Sequence, residues 1–171
     1  MPDRGLNSTA AALLGLLHDG AMTGGQLMAA AQQRLGPFWT TTRSQVYREL
    51  PLLATAGQVR TGRLGPRAAQ PYEITPGGKR AFAAWLNEPA GRDQLRNPLL
   101  LRVAFGSLHT SAQLIQLYDA QREDRAARLV ELKVALTQAK QGGDEFAIAT
   151  IEFAITYHKA VIRWLESAPG R

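Results

Sequence analysis

The stretch from residue 35 to 67, with its continuation to 74, sets the narrowest limits on this chain, because a helix start, a helix stop and a change of period follow one another within it. Thr42-x-x-Gln45 has the spacing of a capping box, in which threonine and glutamine side chains each satisfy an unpaired backbone N–H at a helix start. Val46, Leu50 and Leu53, with Tyr47 and Ala54, then recur at helical spacing and predict a helix packed by one face. Gly57 follows as the stop, since glycine takes the left-handed conformation of a helix C′ position without strain. Beyond it, Gln58-Val59-Arg60-Thr61 and Gln70-Pro71-Tyr72-Glu73-Ile74 read as two short strands around a turn-rich tip containing Gly65-Pro66. Pro51 runs against the pattern: inside a helix it deletes the hydrogen bond to the Tyr47 carbonyl and predicts a kink, at a cost of about 3 kcal/mol.

The flanks complete a fold. An apolar helix is predicted over residues 8–18, ended by Asp19-Gly20. A second begins at Thr23-Gly24-Gly25-Gln26, again with capping-box spacing, and stops at Gly36-Pro37. Its two glycines would allow close backbone approach to a neighbour or to a phosphate. Thr75-Pro76 places a cap and an N1 proline at the head of a helix running through Trp85-Leu86. Three helices, a hairpin and one more helix make a winged helix-turn-helix domain with a two-stranded wing over residues 1–90.

After Pro98 no proline occurs until Pro169, and the composition becomes helical. A short apolar helix over 99–108 is expected, then a long one over 111–140 laced with charge at Arg122, Glu123, Asp124, Arg125 and Arg128. Gly142-Gly143 breaks it, and residues 144–167 form the last helix. That helix carries one apolar stripe through Phe146, Phe153, Tyr157 and Trp164, and another through Ile151, Ile155 and Ile162 interrupted by His158. A helix apolar over so much of its circumference needs a partner. Residues 91–171 are therefore expected to be a helical dimerisation domain of a mainly α protein, with Phe146, Ile151, Phe153, Ile155, Tyr157, Ile162 and Trp164 at the interface of a homodimer.

Charge points to the partner. The net charge of +6 comes from 20 basic and 14 acidic residues. Residues 1–90 hold nine basic against five acidic groups, a balance of +4, and the excess is almost all arginine. Acidic residues are absent from 20 to 48, where the charges are Arg34, Arg43 and Arg48, and again from 50 to 72, where they are Arg60, Arg63 and Arg67. Basic surfaces draw nucleic acid by releasing condensed counterions. A capped helix with polar and basic first turns, followed by an arginine-bearing hairpin, suits the major groove and adjoining backbone of double-stranded DNA. On that reading Thr40, Thr41, Thr42 and Ser44 hold phosphates and the cap, while Arg43 and Arg48 pair with guanine or clamp phosphates. Gln45 suits adenine and, equally, the capping box; Tyr47 suits a phosphate through its hydroxyl or the core through its ring. Arg60 lies close to the strand, and Arg63 and Arg67 near the tip are the better placed for backbone or minor-groove contact.

Other classes of function find little to work with. The chain has no cysteine, and His18, His109 and His158 stand singly, so neither a thiolate nor a metal cluster is indicated. Ser107 and His109 occupy adjacent helix positions that do not face one another, and Gly24-Gly25 and Gly77-Gly78 lack the spacing of a phosphate loop. No enzyme activity, metal or cofactor is expected. The apolar run at residues 10–17 is too short to cross a membrane, and no secretory pattern precedes it, so a cytoplasmic protein is expected. Trp39, Trp85 and Trp164 are candidates for an effector pocket, although aromatics at helical spacing equally serve a core. A winged-helix adaptor for protein contacts, or a nonspecific architectural DNA-binding protein, is the alternative reading.

The order of motifs resembles the PadR family of bacterial transcriptional regulators. The likeness rests on ALLGLLHDGAMTGGQLMAAAQQRLGPFW at 12–39, SQVYREL at 44–50, the Ala56-Gly57 turn, YEITPGGKRAFAAWL at 72–86 and LLLRVAFGSL at 99–108. The long C-terminal helices make it similar to the larger PadR subgroup. The resemblance implies a homodimer whose paired winged helices bind a pseudo-palindromic operator, usually as a repressor, commonly released by a small aromatic or hydrophobic effector. It carries over to Ser44, Gln45, Tyr47 and the basic wing. Thr23-Gly24-Gly25 stands where many relatives have His-Gly-Tyr, Arg48 replaces a frequent proline, and a proline occurs instead at Pro51.

Overall fold

The computed structural model describes residues 5–63, 69–92 and 96–170. The chain divides into two compact units, Met1–Gly91 and Arg92–Arg171.

The first unit is built around α1 (Ser8–Leu16), in which Ala10, Ala11, Leu13, Leu14 and Leu16 are all buried. A helix apolar on so many sides can only sit in the middle of its unit. Asn7 caps it, its Oδ1 accepting from the Ala10 N–H at 2.9 Å. The α-helix ends at Leu16 rather than His18, and a 3-10 turn (Leu17–Asp19) finishes it. α2 (Gly24–Arg34) and α3 (Arg43–Thr55) begin at the two predicted capping boxes, and both boxes are reciprocal. Together with α4 (Pro76–Leu86), these helices surround α1. Leu13, Leu14, Leu17, Leu27, Val46 and Leu50 form the water-free centre, where truncating one leucine to alanine costs about 2–5 kcal/mol.

α3 runs from Arg43 across Pro51 to Thr55 without a break. Pro51 is exposed, so the hydrogen bond it deletes lies on the solvent side, and the Thr55 hydroxyl donates to the Pro51 carbonyl at 2.9 Å. The helix stops as expected at Gly57, whose φ of +67° is left-handed. The Gly57 N–H donates to the Ala54 carbonyl at 3.0 Å and the Gln58 N–H to the Leu53 carbonyl at 2.9 Å, the paired closing bonds of a Schellman motif.

β2 (Val59–Thr61) and β3 (Pro71–Ile74) pair antiparallel, with Arg60 opposite Glu73 and Thr61 opposite Tyr72. A further strand, β1 (Met22–Thr23), pairs with the other edge of β3, Met22 lying opposite Tyr72. The sheet order is β1-β3-β2, so the two-stranded wing is part of a three-stranded sheet. Two residues carry no period to read, and Thr23, which the sequence marks as a cap, is strand and cap at once.

The second unit holds α5 (Pro98–Ala104), a 3-10 turn (Gly106–Leu108), α6 (Ser111–Gly142) and α7 (Glu145–Glu166). α6 has 32 residues, about 48 Å of helix. It ends at Gly143, φ +70°, and Asp144 caps α7 by accepting from the Ala147 N–H at 3.0 Å. The two helices run antiparallel, as successive levels show. Lys140 pairs with Glu152, Leu132 packs with Ala154 and Ile155, Arg125 meets His158, and the Tyr118 hydroxyl donates to the Pro169 carbonyl at 3.0 Å. One apolar layer gathers Leu129, Leu132, Leu136, Ile151, Ala154 and Ile155. A second gathers Leu99, Leu114, Tyr118, Leu165 and Ala168, with Val161 and Trp164 against them. The Arg125–His158 pair lies between the layers.

Candidate nucleic-acid interface

The outer face of α3 is set by what the helix buries. Val46, Glu49, Leu50 and Leu53 point inward, which leaves Arg43, Ser44, Tyr47, Arg48 and Pro51 exposed on the opposite side. Arg43 has no carboxylate partner among the described residues; its guanidinium stands 5.5 Å over the Tyr47 ring, a cation–π contact between positions i and i+4. The ring also rests on the start of α2. A Cβ added at Gly24 would stand 2.9 Å from Tyr47 Cζ and 3.0 Å from its hydroxyl, so the close approach foreseen for the glycine pair is made to a side chain. Tyr47 is thus both packed and exposed, its ring seated between Gly24 and Arg43 with about half of the residue open to solvent.

The capping box decides what Gln45 has left to offer. Its Oε1 accepts from the Thr42 backbone N–H at 2.8 Å and the Thr42 hydroxyl at 3.0 Å, while the Gln45 N–H donates back to Thr42 Oγ1 at 3.3 Å. Bidentate adenine readout needs that same oxygen, so only the side-chain amide nitrogen remains free. Ser44 Oγ and Thr42 Oγ1 lie 3.1 Å apart at the helix tip, and Thr41 Oγ1 is buried without a partner. Both hydroxyls at the tip, with the first N–H groups of α3, suit an anion.

On the wing, the register places Arg60 against Glu73. Arg60 Nε donates to Glu73 Oε2 at 3.0 Å and Nη2 to Oε1 at 2.8 Å, a bidentate pair that cancels the charge. Arg63 is exposed with no acidic partner among the described residues. Arg67 lies outside the described residues.

Residues missed in the sequence adjoin this face. Glu49 is only 4% exposed, and its carboxylate joins Asn7 to Arg48. A signal for it exists: it is the sole acidic residue between Gly20 and Tyr72, and it falls on the apolar side of α3.

Trp39 and Trp85 share the wall of a cavity of about 620 Å³ in the first unit, with Leu35, Phe38 and Phe82. Phe82 and Trp85 are stacked at 6.1 Å, and His18 tilts onto Phe82 at 5.0 Å. The His18 Nδ1–H donates to the Leu14 carbonyl at 2.9 Å, and an Arg34–Asp19 ion pair closes one side. Trp164 is not part of this cavity; it packs in the second unit beside Val161 and Leu165. The expected interface residues also divide. Phe146, Phe153 and Tyr157 are exposed, whereas Ile155 is buried against α6, and Ile151, Ile162 and Trp164 are half-buried.

A family model described as virulence activator alpha C-term matches residues 95–169. Over 169 residues the chain is 26% identical to the negative transcriptional regulator PadR of Bacillus subtilis strain 168, which spans 91% of this chain and 92% of that protein. A PadR-like transcriptional regulator from Bacillus cereus has a similar fold, with a TM-score of 0.82 at 19% identity over 94% of each chain. Bacillus subtilis PadR in complex with operator DNA gives 0.78 at 25% identity, covering 94% of this chain and 96% of that one. The same protein with p-coumaric acid gives 0.70 at 23% identity, covering 95% and 96%. These relatives are transcriptional regulators, not enzymes. Sequence likeness over nine-tenths of the chain, joined to a PadR-like fold over nearly all of it, makes this protein similar to the PadR transcriptional regulators along almost its whole length.

Proposed function

We propose that this protein is a DNA-binding transcriptional regulator, a repressor that occupies a pseudo-palindromic operator as a homodimer. The observation that carries the reading is the exposed face of α3, where Arg43, Ser44, Tyr47 and Arg48 stand together on a helix capped by Thr42. That face enters the major groove, Thr42 and Ser44 hold backbone phosphate, and the wing with Arg60, Arg63 and Arg67 lies along the flanking strand. Residues 1–90 are the DNA-binding domain and 91–171 the dimerisation domain. Phe146, Phe153 and Tyr157, exposed on α7, are the side chains a second copy would cover, with Ile151, Ile155, Ile162 and Trp164 supporting them from within. The Trp39–Trp85 cavity takes a small aromatic effector, in keeping with the p-coumaric acid complex of PadR.

The test is a mobility shift of the full chain with DNA upstream of its own gene, against a shuffled duplex, at two salt concentrations. A sequence-selective shift that weakens with salt and is released by a phenolic acid is expected. Weak binding indifferent to sequence would favour a nonspecific architectural protein, and no binding at all an adaptor for protein contacts.

A further inference from the structure

Glu49 is an anomaly on α3. Its neighbours on the buried face are Val46, Leu50 and Leu53, and a carboxylate among them is costly unless each oxygen is satisfied. Both are. Asn7 Nδ2–H donates to Oε2 at 3.0 Å, and Arg48 donates to Oε1 through Nε at 3.2 Å and Nη2 at 3.0 Å. Asn7 is itself fixed, because its Oδ1 caps α1. Arg48, by contrast, is 66% exposed along its side chain. Adjacent residues on a helix ordinarily diverge, so this pair forms only because Arg48 turns its Nε edge back to the rim of α3. The N–H groups that Glu49 does not engage are left open to solvent.

We infer that Glu49 is a positioning residue for DNA recognition: clamped by the cap of α1, it holds Arg48 by one edge and fixes where the free N–H groups of the guanidinium point. The inference rests on the DNA-binding reading above. An arginine carries several rotatable bonds that must be ordered on binding, and one ordered beforehand discriminates between bases at less entropic cost. The same ion pair subtracts a positive charge from the face, which weakens attraction to DNA of any sequence.

Removing the carboxylate therefore has effects of opposite sign on right and wrong DNA. The probes are a duplex enriched from random-sequence DNA by the wild-type full chain and a shuffled duplex of the same composition. For Glu49→Gln, binding to the shuffled duplex should strengthen, with a salt slope steeper by about 0.9 for the released cation. The ratio of the two affinities should fall about tenfold as Arg48 loses its order. In an Arg48→Ala background the same substitution should leave the ratio unchanged. Asn7→Ser keeps a capping residue but removes the amide donor, and it should lower the ratio in the same direction by a smaller factor; it decides the matter if Glu49→Gln does not fold. An equal loss with and without Arg48 would make Glu49 a fold determinant only and overturn the inference, as would an unchanged ratio in both single variants. If the wild type enriches no sequence, the DNA-binding reading fails and this inference with it.

Discussion

Arg60 and Glu73 face each other across β2 and β3, and their pairing alters what a count of basic residues implies. Six arginines fall between Gly20 and Tyr72, yet the register silences Arg60 and the buried Glu49 restrains Arg48. An exposed pair such as Arg60–Glu73 contributes about 0–1 kcal/mol to stability, so it can be opened without harming the fold. Glu73→Gln should free Arg60, tighten binding to any duplex, and steepen the salt slope by about 0.9 while thermal stability holds. Salt titration of a mobility shift measures this; an unchanged slope would place Arg60 away from the DNA. The arginines themselves were legible in the sequence. Their partners were not, because Arg60–Glu73 depends on strand register and Asn7–Glu49 on packing between residues 42 positions apart.

Elements were more legible than side-chain partners, since caps and stops are local chemistry. Thr23/Gln26, Thr42/Gln45 and Thr75-Pro76 mark the heads of α2, α3 and α4, and Gly57 marks the end of α3. Thr110 and Gln113 make a third reciprocal box at the head of α6, where the sequence also marks a helix start. β1 escaped because two residues show no alternation. His158 on α7 reads as a satisfied core histidine, and its surroundings give that a direction. Burial foremost, then the Arg125 and Arg128 guanidinium groups, lower its pKa below the ordinary 6.5, against a weaker opposite pull from Asp124. The unfolded chain therefore takes up a proton that the folded one refuses, so the contribution is complete above that pH and declines as pH falls through it. Between about pH 7.5 and 5.5 the wild type should lose more of its Tm than His158→Asn does. Equal losses, followed by circular dichroism, would show that the histidine is no burden to the α6–α7 pair.

At the scale of the whole molecule, the α6–α7 hairpin sets the expectations for assembly. Val134 and Val130 are exposed on α6 at the levels of Phe153 and Tyr157 on α7, and Phe146 stands exposed near the turn. Phe153→Glu places a charge in the proposed dimer seam without touching the intramolecular layer around Leu132 and Ile155. The variant should sediment as a folded monomer and lose operator affinity by about a hundredfold or more, because the second half-site is no longer bound at high effective concentration. A dimer that persists with Phe153→Glu would move the seam elsewhere. Within the first unit, Thr23 closes one edge of the sheet and starts α2, while Thr75 Oγ1 donates to the Gly57 carbonyl and its N–H to that of Gln58 at the other edge. Helix and wing are thereby one stiff jaw. If two such jaws met an operator in the proposed dimer, a misfit between helix and groove would have to be met by the bend and twist of the DNA, so that base pairs no side chain reaches would still be read through their stiffness.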